Sequence, residues 1–181
     1  MAFWIGLAIF ILASIVAERL LPPQYKKFMP MLVMVVLTFF GLFRYEIGTD
    51  YDWYIVLFDT VKIDDLYPEP TFLLLVEFLH QFHFSYQVMF IAYELPIMLL
   101  LWSGIRYYTK DTEIQILIVA LYYCLQYFFS LNGIRQGLSM VLIFWGYRYC
   151  LERSLWKYLL VVALAASMHY SAVVAAVLYF V

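Results

Sequence analysis

Apolar residues run without a charge from Ala2 to Ala17 and continue to Leu21 across Glu18 and Arg19. That is about the 20 residues that cross a hydrocarbon core. No basic residue precedes Phe3 and no small-x-small site ends the run, so it is expected to be a retained span, not a cleaved leader. Pro22 and Pro23 end this first helix, Lys26 and Lys27 follow, and a second apolar run covers residues 28–43. Residues 44–71 break the pattern. Residues 72–84 are apolar but short, and they carry Glu77, His80 and His83, which predicts a re-entrant or interfacial helix. Residues 86–102 are expected to cross with a kink at Pro96, and residues 114–131 and 134–149 make further spans. The last run, 155–181, is interrupted by Ser167, His169 and Ser171, which predicts a break between two helices. The fold expected is an all-α, polytopic transmembrane helix bundle. It would have about six to seven spans plus the short helix.

Composition sharpens this. Hydrophobic residues make up 66% of the 181 positions and charged residues 13%, too few to solvate a soluble surface, and mean hydropathy is +0.86. Aromatic residues reach 21%, suited to the boundary between hydrocarbon and headgroups. A net charge of −2 with no Lys/Arg run argues against a nucleic-acid partner, whose phosphates need clustered cations. Cys124 and Cys150 lie in apolar stretches without CxxC spacing, so neither a zinc site nor a redox pair is supported.

Charge also orients the chain. Arg19, Lys26, Lys27, Arg106, Lys110, Arg148, Arg153 and Lys157 share one side if residues 72–84 do not cross, and only Arg44, Lys62 and Arg135 face the other. Basic residues in short loops stay inside, so the amino terminus is expected outside. Segment 44–71 holds two basic residues against Glu46, Asp50, Asp52, Asp59, Asp64, Asp65 and Glu69. This segment, the turn 132–136 and His169 then converge at the outer face. The chain is expected to be a single transmembrane domain over 1–181, and the amino-terminal portion of a longer one, because it stops inside an apolar run.

Asn132, Arg135, Gln136 and Ser139 recur at helical spacing, so they share a face. Asn132 suits the N-cap, and free backbone N–H groups with a first-turn guanidinium suit a phosphate-type anion. The competing account is an Arg reaching for headgroups beside a Gly133/Gly137 packing face. Arg44 brings a second cation at the end of the second helix, where such a residue is more often a boundary marker than a ligand. Glu69-Pro70 reads as a helix entry. Glu77, His80 and His83 share spacing with metal ligands, but an interfacial polar stripe is the preferred account. His169 is either a structural histidine or a proton acceptor.

In their order these residues resemble the EpsG-like polymerases of bacterial surface polysaccharide, the Wzy-type O-antigen polymerases. Arg44-Tyr45-Glu46-Ile47-Gly48-Thr49-Asp50-Tyr51 with Tyr54 resembles the family's RxxxGxDxxxY segment, and Glu69-Pro70 its EP. Asn132-Gly133-Ile134-Arg135-Gln136 resembles its NxxRQ, and Ala166 to Ala172 its A-x-x-H-x-S-A. The family's members are generally about twice as long.

The resemblance implies an inverting, metal-independent glycosyl transfer at the periplasmic face of the inner membrane, without a cofactor. A glycan on undecaprenyl diphosphate is the expected donor, and a sugar hydroxyl of a second lipid-linked unit the attacker. Arg135 and Arg44, with Asn132 and Gln136, would bind the departing diphosphate. His169 and Asp50 are the two candidate bases, and Glu69 and Asp52 the acidic support. Besides the lipid-linked glycan and the bilayer, a chain-length regulator is an expected partner. A ligase, a flippase or transporter, and an inactive or partner-dependent fragment are the alternatives.

Overall fold

The computed structural model describes residues 2–62 and 68–181, all in helices and their connections with no strand among them. Asp64 and Asp65 of the acidic segment lie outside the described residues. The helices are α1 (Ala2–Leu20), α2 (Pro23–Lys26), α3 (Phe28–Leu42), α4 (Tyr51–Thr60), α5 (Pro70–Gln81) and α6 (Tyr86–Tyr108). Next come α7 (Thr112–Tyr122), a π-helical turn (Tyr123–Tyr127), α8 (Phe128–Asn132), α9 (Ile134–Gly146), α10 (Arg148–Leu151) and α11 (Leu155–Met168). A 3₁₀ segment, Tyr170–Phe180, ends the chain.

Among the described residues four stretches are long and apolar enough to cross a membrane: Phe3–Leu20, Pro23–Leu42, Tyr86–Tyr108 and Thr112–Asn132. Leu155–Met168 and Tyr170–Phe180 are shorter apolar helices, and α9 has 13 residues. The six to seven spans expected are thus four of full length and three shorter helices, because Gly133 and His169 interrupt the later apolar runs. The chain is a polytopic membrane helical bundle. Its exterior is apolar, with Ile9, Leu12, Val16, Leu99 and Leu121 exposed, as hydrocarbon requires and water would not tolerate.

The core forms where one stripe of each helix turns inward: Leu7 and Ile11 of α1, Val33 and Leu37 of α3, Met89 and Ile97 of α6. α9 packs on α6 and α11. Its approach to α8 and α11 depends on missing side chains. A Cβ at Gly137 would lie 2.8 Å from Ser130 Cβ, and one at Gly146 2.5 Å from Val161 Cγ1. Gly133, the other half of the anticipated small-residue face, has no such neighbour, its closest being 3.8 Å away.

The connections fix which segments share an end. Gln87 Nε2 donates to Leu42 O at 2.7 Å, so α6 starts where α3 finishes, and α4 and α5 lie between them without a net crossing. Tyr123 Oη donates to Trp4 O at 2.7 Å, which brings the start of α1 to that half of the bundle. At the opposite end Thr112 Oγ1 donates to Glu18 Oε1 at 2.6 Å, and Tyr108 Oη to Phe144 O at 2.8 Å. In a background lacking Cys124 and Cys150, Asp52→Cys should react with an impermeant thiol reagent from one face only, and Lys110→Cys only from the other. Labelling of both from one face would mean that α5 crosses the membrane.

Candidate functional site

Three segments far apart in sequence meet at Glu69. Pro70 opens α5 with its fixed φ and no N–H to satisfy, so Glu69 stands just before the first turn. Its side chain does not cap α5. It is 2% exposed, and its Oε2 accepts from Arg135 Nη1 while its Oε1 lies 2.8 Å from His169 Nδ1. Arg135 sits in the first turn of α9, buried, with Cζ 5.3 Å from the Phe72 ring and 5.8 Å from the Tyr54 ring. His169 occupies the extended residue between α11 and the 3₁₀ segment, half-buried. Thr71 Oγ1 donates to Ser167 O and ties the start of α5 to the end of α11 beside it.

Arg44 forms the second cationic centre. It follows α3, is 2% exposed, donates from Nη1 to Leu131 O, and holds Cζ 4.1 Å from the Phe90 ring. The last carbonyls of a helix have no intrahelical partner and carry its negative dipole end, so the end of α8 is a natural seat for a guanidinium. Burial lowers the Arg44 pKa to about 10, against the raising influence of Glu94, which leaves it charged at neutral pH. Its Nε and Nη2 are buried and have no hydrogen-bond partner among the described residues.

Asn132 joins the two centres, though not as expected. It closes α8 instead of capping α9, whose N-cap is Gly133. Its Oδ1 accepts from Thr49 Oγ1 at 2.9 Å and from Asp50 N at 3.0 Å. A long-range loop has taken the oxygen that a local cap would use. Gly48 at φ +100° makes the turn that brings this loop in, and a Cβ there would lie 3.1 Å from Asn132 Oδ1. The π-helical turn Tyr123–Tyr127 precedes this corner. One extra residue rotates α8 by about 100° relative to a continuous helix, setting the direction of the Leu131 and Asn132 groups.

The remaining predicted residues divide. Asp50 is half-buried at the start of α4, its carboxylate accepting from Thr49 Oγ1 at 3.2 Å. Gln136 is half-buried beside Arg135, whereas Asp52 is exposed in the first turn of α4 and does not join the Glu69 cluster. The orientation of His169 comes from Glu69. His80 packs edge-on against Phe58 at 4.5 Å, away from the cluster.

Glu94 was not anticipated. It lies in α6, 2% exposed, with neither carboxylate oxygen hydrogen-bonded among the described residues, and it fills the space left open by Gly41, where a Cβ would be 2.5 Å from Glu94 Oε1. The signal was available: an acid in the middle of an apolar span is costly and usually functional. Tyr54 also belongs to the site. Its pKa is raised by burial, with Arg135 acting in the opposite direction.

A model of the EpsG family matches residues 27–181. The chain belongs to the EpsG family. Comparison with curated proteins and with solved structures returned no match. Membership carries a polysaccharide-polymerase-like role, glycosyltransferase-like in its coarse chemistry. The EpsG match includes all the residues gathered above and leaves out α1 and α2. Within this EpsG bundle, breaking one partner of a buried pair strands the other charge, so Glu69→Gln and Arg135→Ala should each destabilise by about 3–5 kcal/mol. The double variant should lose clearly less than the sum in detergent unfolding. Additive losses would show that the pair is not a unit.

Proposed function

We propose that this EpsG-family chain polymerises undecaprenyl-diphosphate-linked oligosaccharide repeat units, of O-antigen or exopolysaccharide type, by inverting and metal-independent glycosyl transfer. The observation that carries the proposal is the shared Glu69 carboxylate, with Arg135 on one oxygen and His169 Nδ1 on the other. If Nδ1–H donates to Glu69, the other ring nitrogen, Nε2, is the one with a lone pair, the tautomer a general base needs.

In the proposed step a sugar hydroxyl of one lipid-linked unit attacks the anomeric carbon of the other. Its proton passes to His169 Nε2, the new glycosidic C–O bond forms, and the bond to the diphosphate breaks with both electrons leaving on the diphosphate oxygen. Attack opposite the leaving group inverts the anomeric centre. Arg44 and Arg135 stabilise the charge that develops on the diphosphate, where a metal ion would otherwise be needed. Asn132 fixes the loop from Gly48 to Asp50 against the end of α8, where Arg44 also bonds Leu131 O. The excess of basic residues at the opposite end favours this end as periplasmic, with the amino terminus outside and the chain in the bacterial inner membrane. A chain-length regulator would act on the product.

With comparable membrane levels confirmed, chain extension from purified lipid-linked donor should fall by roughly 10²- to 10⁴-fold in His169→Gln. Asp50→Asn should stay within about tenfold of the parent, since Asp50 lacks an orienting partner of this kind. Arg135→Lys should remain impaired because a point charge lacks the planar fork. Near-normal extension by His169→Gln with collapse in Asp50→Asn would move the base to Asp50.

A further inference from the structure

The end of the bundle remote from Glu69 holds a different cavity. Arg106 at the end of α6, Lys110 just beyond it and Arg148 at the start of α10 line a pocket of about 360 Å³ with Trp102 and Tyr107. None of the three cations forms an ion pair among the described residues. Glu18, Asp111 and Glu113 are engaged away from the pocket, and Glu152 stands at its Tyr107 wall. Glu18 and Glu113 face Lys26 at 3.7 and 3.9 Å, Asp111 caps α7, and Glu152 accepts from Tyr107 Oη at 3.0 Å. Arg148 rests on the Trp145 ring at 3.5 Å, and its buried Nε has no hydrogen-bond partner among the described residues. Lys110 donates to the Arg106 carbonyl, so helix-end complementarity accounts for part of its placement. That leaves Arg106 and Arg148 facing one cavity with no ion-paired acid among the described residues.

This pocket does not end at the charges. Leu99 and Trp102 also line a second cavity of about 360 Å³, an apolar groove along α3 from Met31 to Leu42. At 1.5 Å per residue its α3 wall is about 16 Å long, close to half of a hydrocarbon core of about 30 Å. A basic mouth at the membrane boundary continuous with an apolar groove running into the bilayer matches an amphiphile with an anionic head. We infer that the Arg106–Lys110–Arg148 pocket and the α3/α6 groove together form a binding site for one anionic phospholipid, its phosphate among the three cations and one acyl chain against Val35, Phe39 and Leu99. The site is separate from the Glu69 cluster, at the other ends of α6 and α9, and does not depend on the proposed transfer reaction.

The test is native mass spectrometry of the detergent-purified chain titrated with dioleoyl-phosphatidylglycerol, dioleoyl-phosphatidylcholine, dihexanoyl-phosphatidylglycerol and inorganic phosphate. One dioleoyl-phosphatidylglycerol should bind at least about tenfold more tightly than the phosphatidylcholine. A juxtamembrane cation contributes about fivefold, so Arg106→Gln/Lys110→Gln should weaken it by about 25-fold and the triple variant with Arg148→Gln by about a hundredfold. Arg106 and Lys110 are exposed, so the double variant remains informative if removal of Arg148 disturbs the Trp145 stack. Val35→Trp, which fills the groove, should weaken the dioleoyl lipid and leave the short-chain lipid unchanged. Equal retention of the two dioleoyl lipids, or no loss in the double variant, overturns the site. Inorganic phosphate binding as tightly as the long-chain lipid would mark a free-anion pocket and overturn the lipid assignment.

Discussion

The Glu69 carboxylate is the constraint on which one end of this bundle depends. Removing a charge from water costs several kcal/mol even after relaxation, and the partners of the 2%-exposed Glu69 carboxylate offset that cost only while they are held in place. Those partners arrive on α9 and after α11, at sequence separations of 66 and 100 residues. Each side of the contact therefore limits the path of the chain. α5 must begin at the level of the first turn of α9, and α11 must stop there, which is why its apolar run breaks at His169 instead of continuing as one helix. At 12 residues α5 is about 18 Å long, well short of a hydrocarbon core of about 30 Å, and it packs against α6 and α11.

Most of the architecture was legible as apolar run length. The second run was expected to end at residue 43 and α3 ends at Leu42, and the break expected around residues 167–171 falls at His169. Two departures have physical causes. α6 continues to Tyr108, beyond the last purely apolar residues, because Arg106 can leave its charge at the boundary while its backbone stays helical. α4 was hidden by counting charges over 44–71. Its buried face, Tyr51, Tyr54, Leu57 and Phe58, has helical spacing, but the acids around it made the segment read as a loop.

The site was legible in its residues and less so in its connections. Arg44, Glu69, Asn132, Arg135 and His169 were each singled out, yet no spacing rule states that one carboxylate bridges positions 135 and 169. Local chemistry pointed the wrong way for Asn132, since an Asn before an apolar helical stretch normally caps it. The competing donors, Thr49 Oγ1 and Asp50 N, come from a loop more than 80 residues earlier, visible only once Gly48 has turned it inward. The π-helical turn has no marker in the apolar pattern either, because both helical forms suit a uniformly apolar stretch.

The two guanidiniums are held by unlike acceptors, and this divides their labour in the proposed transfer. Arg135 is bonded to a full negative charge, so much of its field is cancelled within a few ångströms. Arg44 is held by a neutral carbonyl and an aromatic face, with Glu94 raising its pKa without hydrogen-bonding to it. Unit charges about 4 Å apart interact by about 4 kcal/mol at an effective dielectric constant near 20, so a cation with no acid hydrogen-bonded to it is the stronger partner for charge that appears only as a bond breaks. Arg44 is thus better suited to the developing charge of the leaving diphosphate. Arg135, through its bond to Glu69, keeps the carboxylate in place to orient His169. Loss of Arg44 would then slow the bond-breaking step directly, whereas loss of Arg135 would act through both the anion and the base.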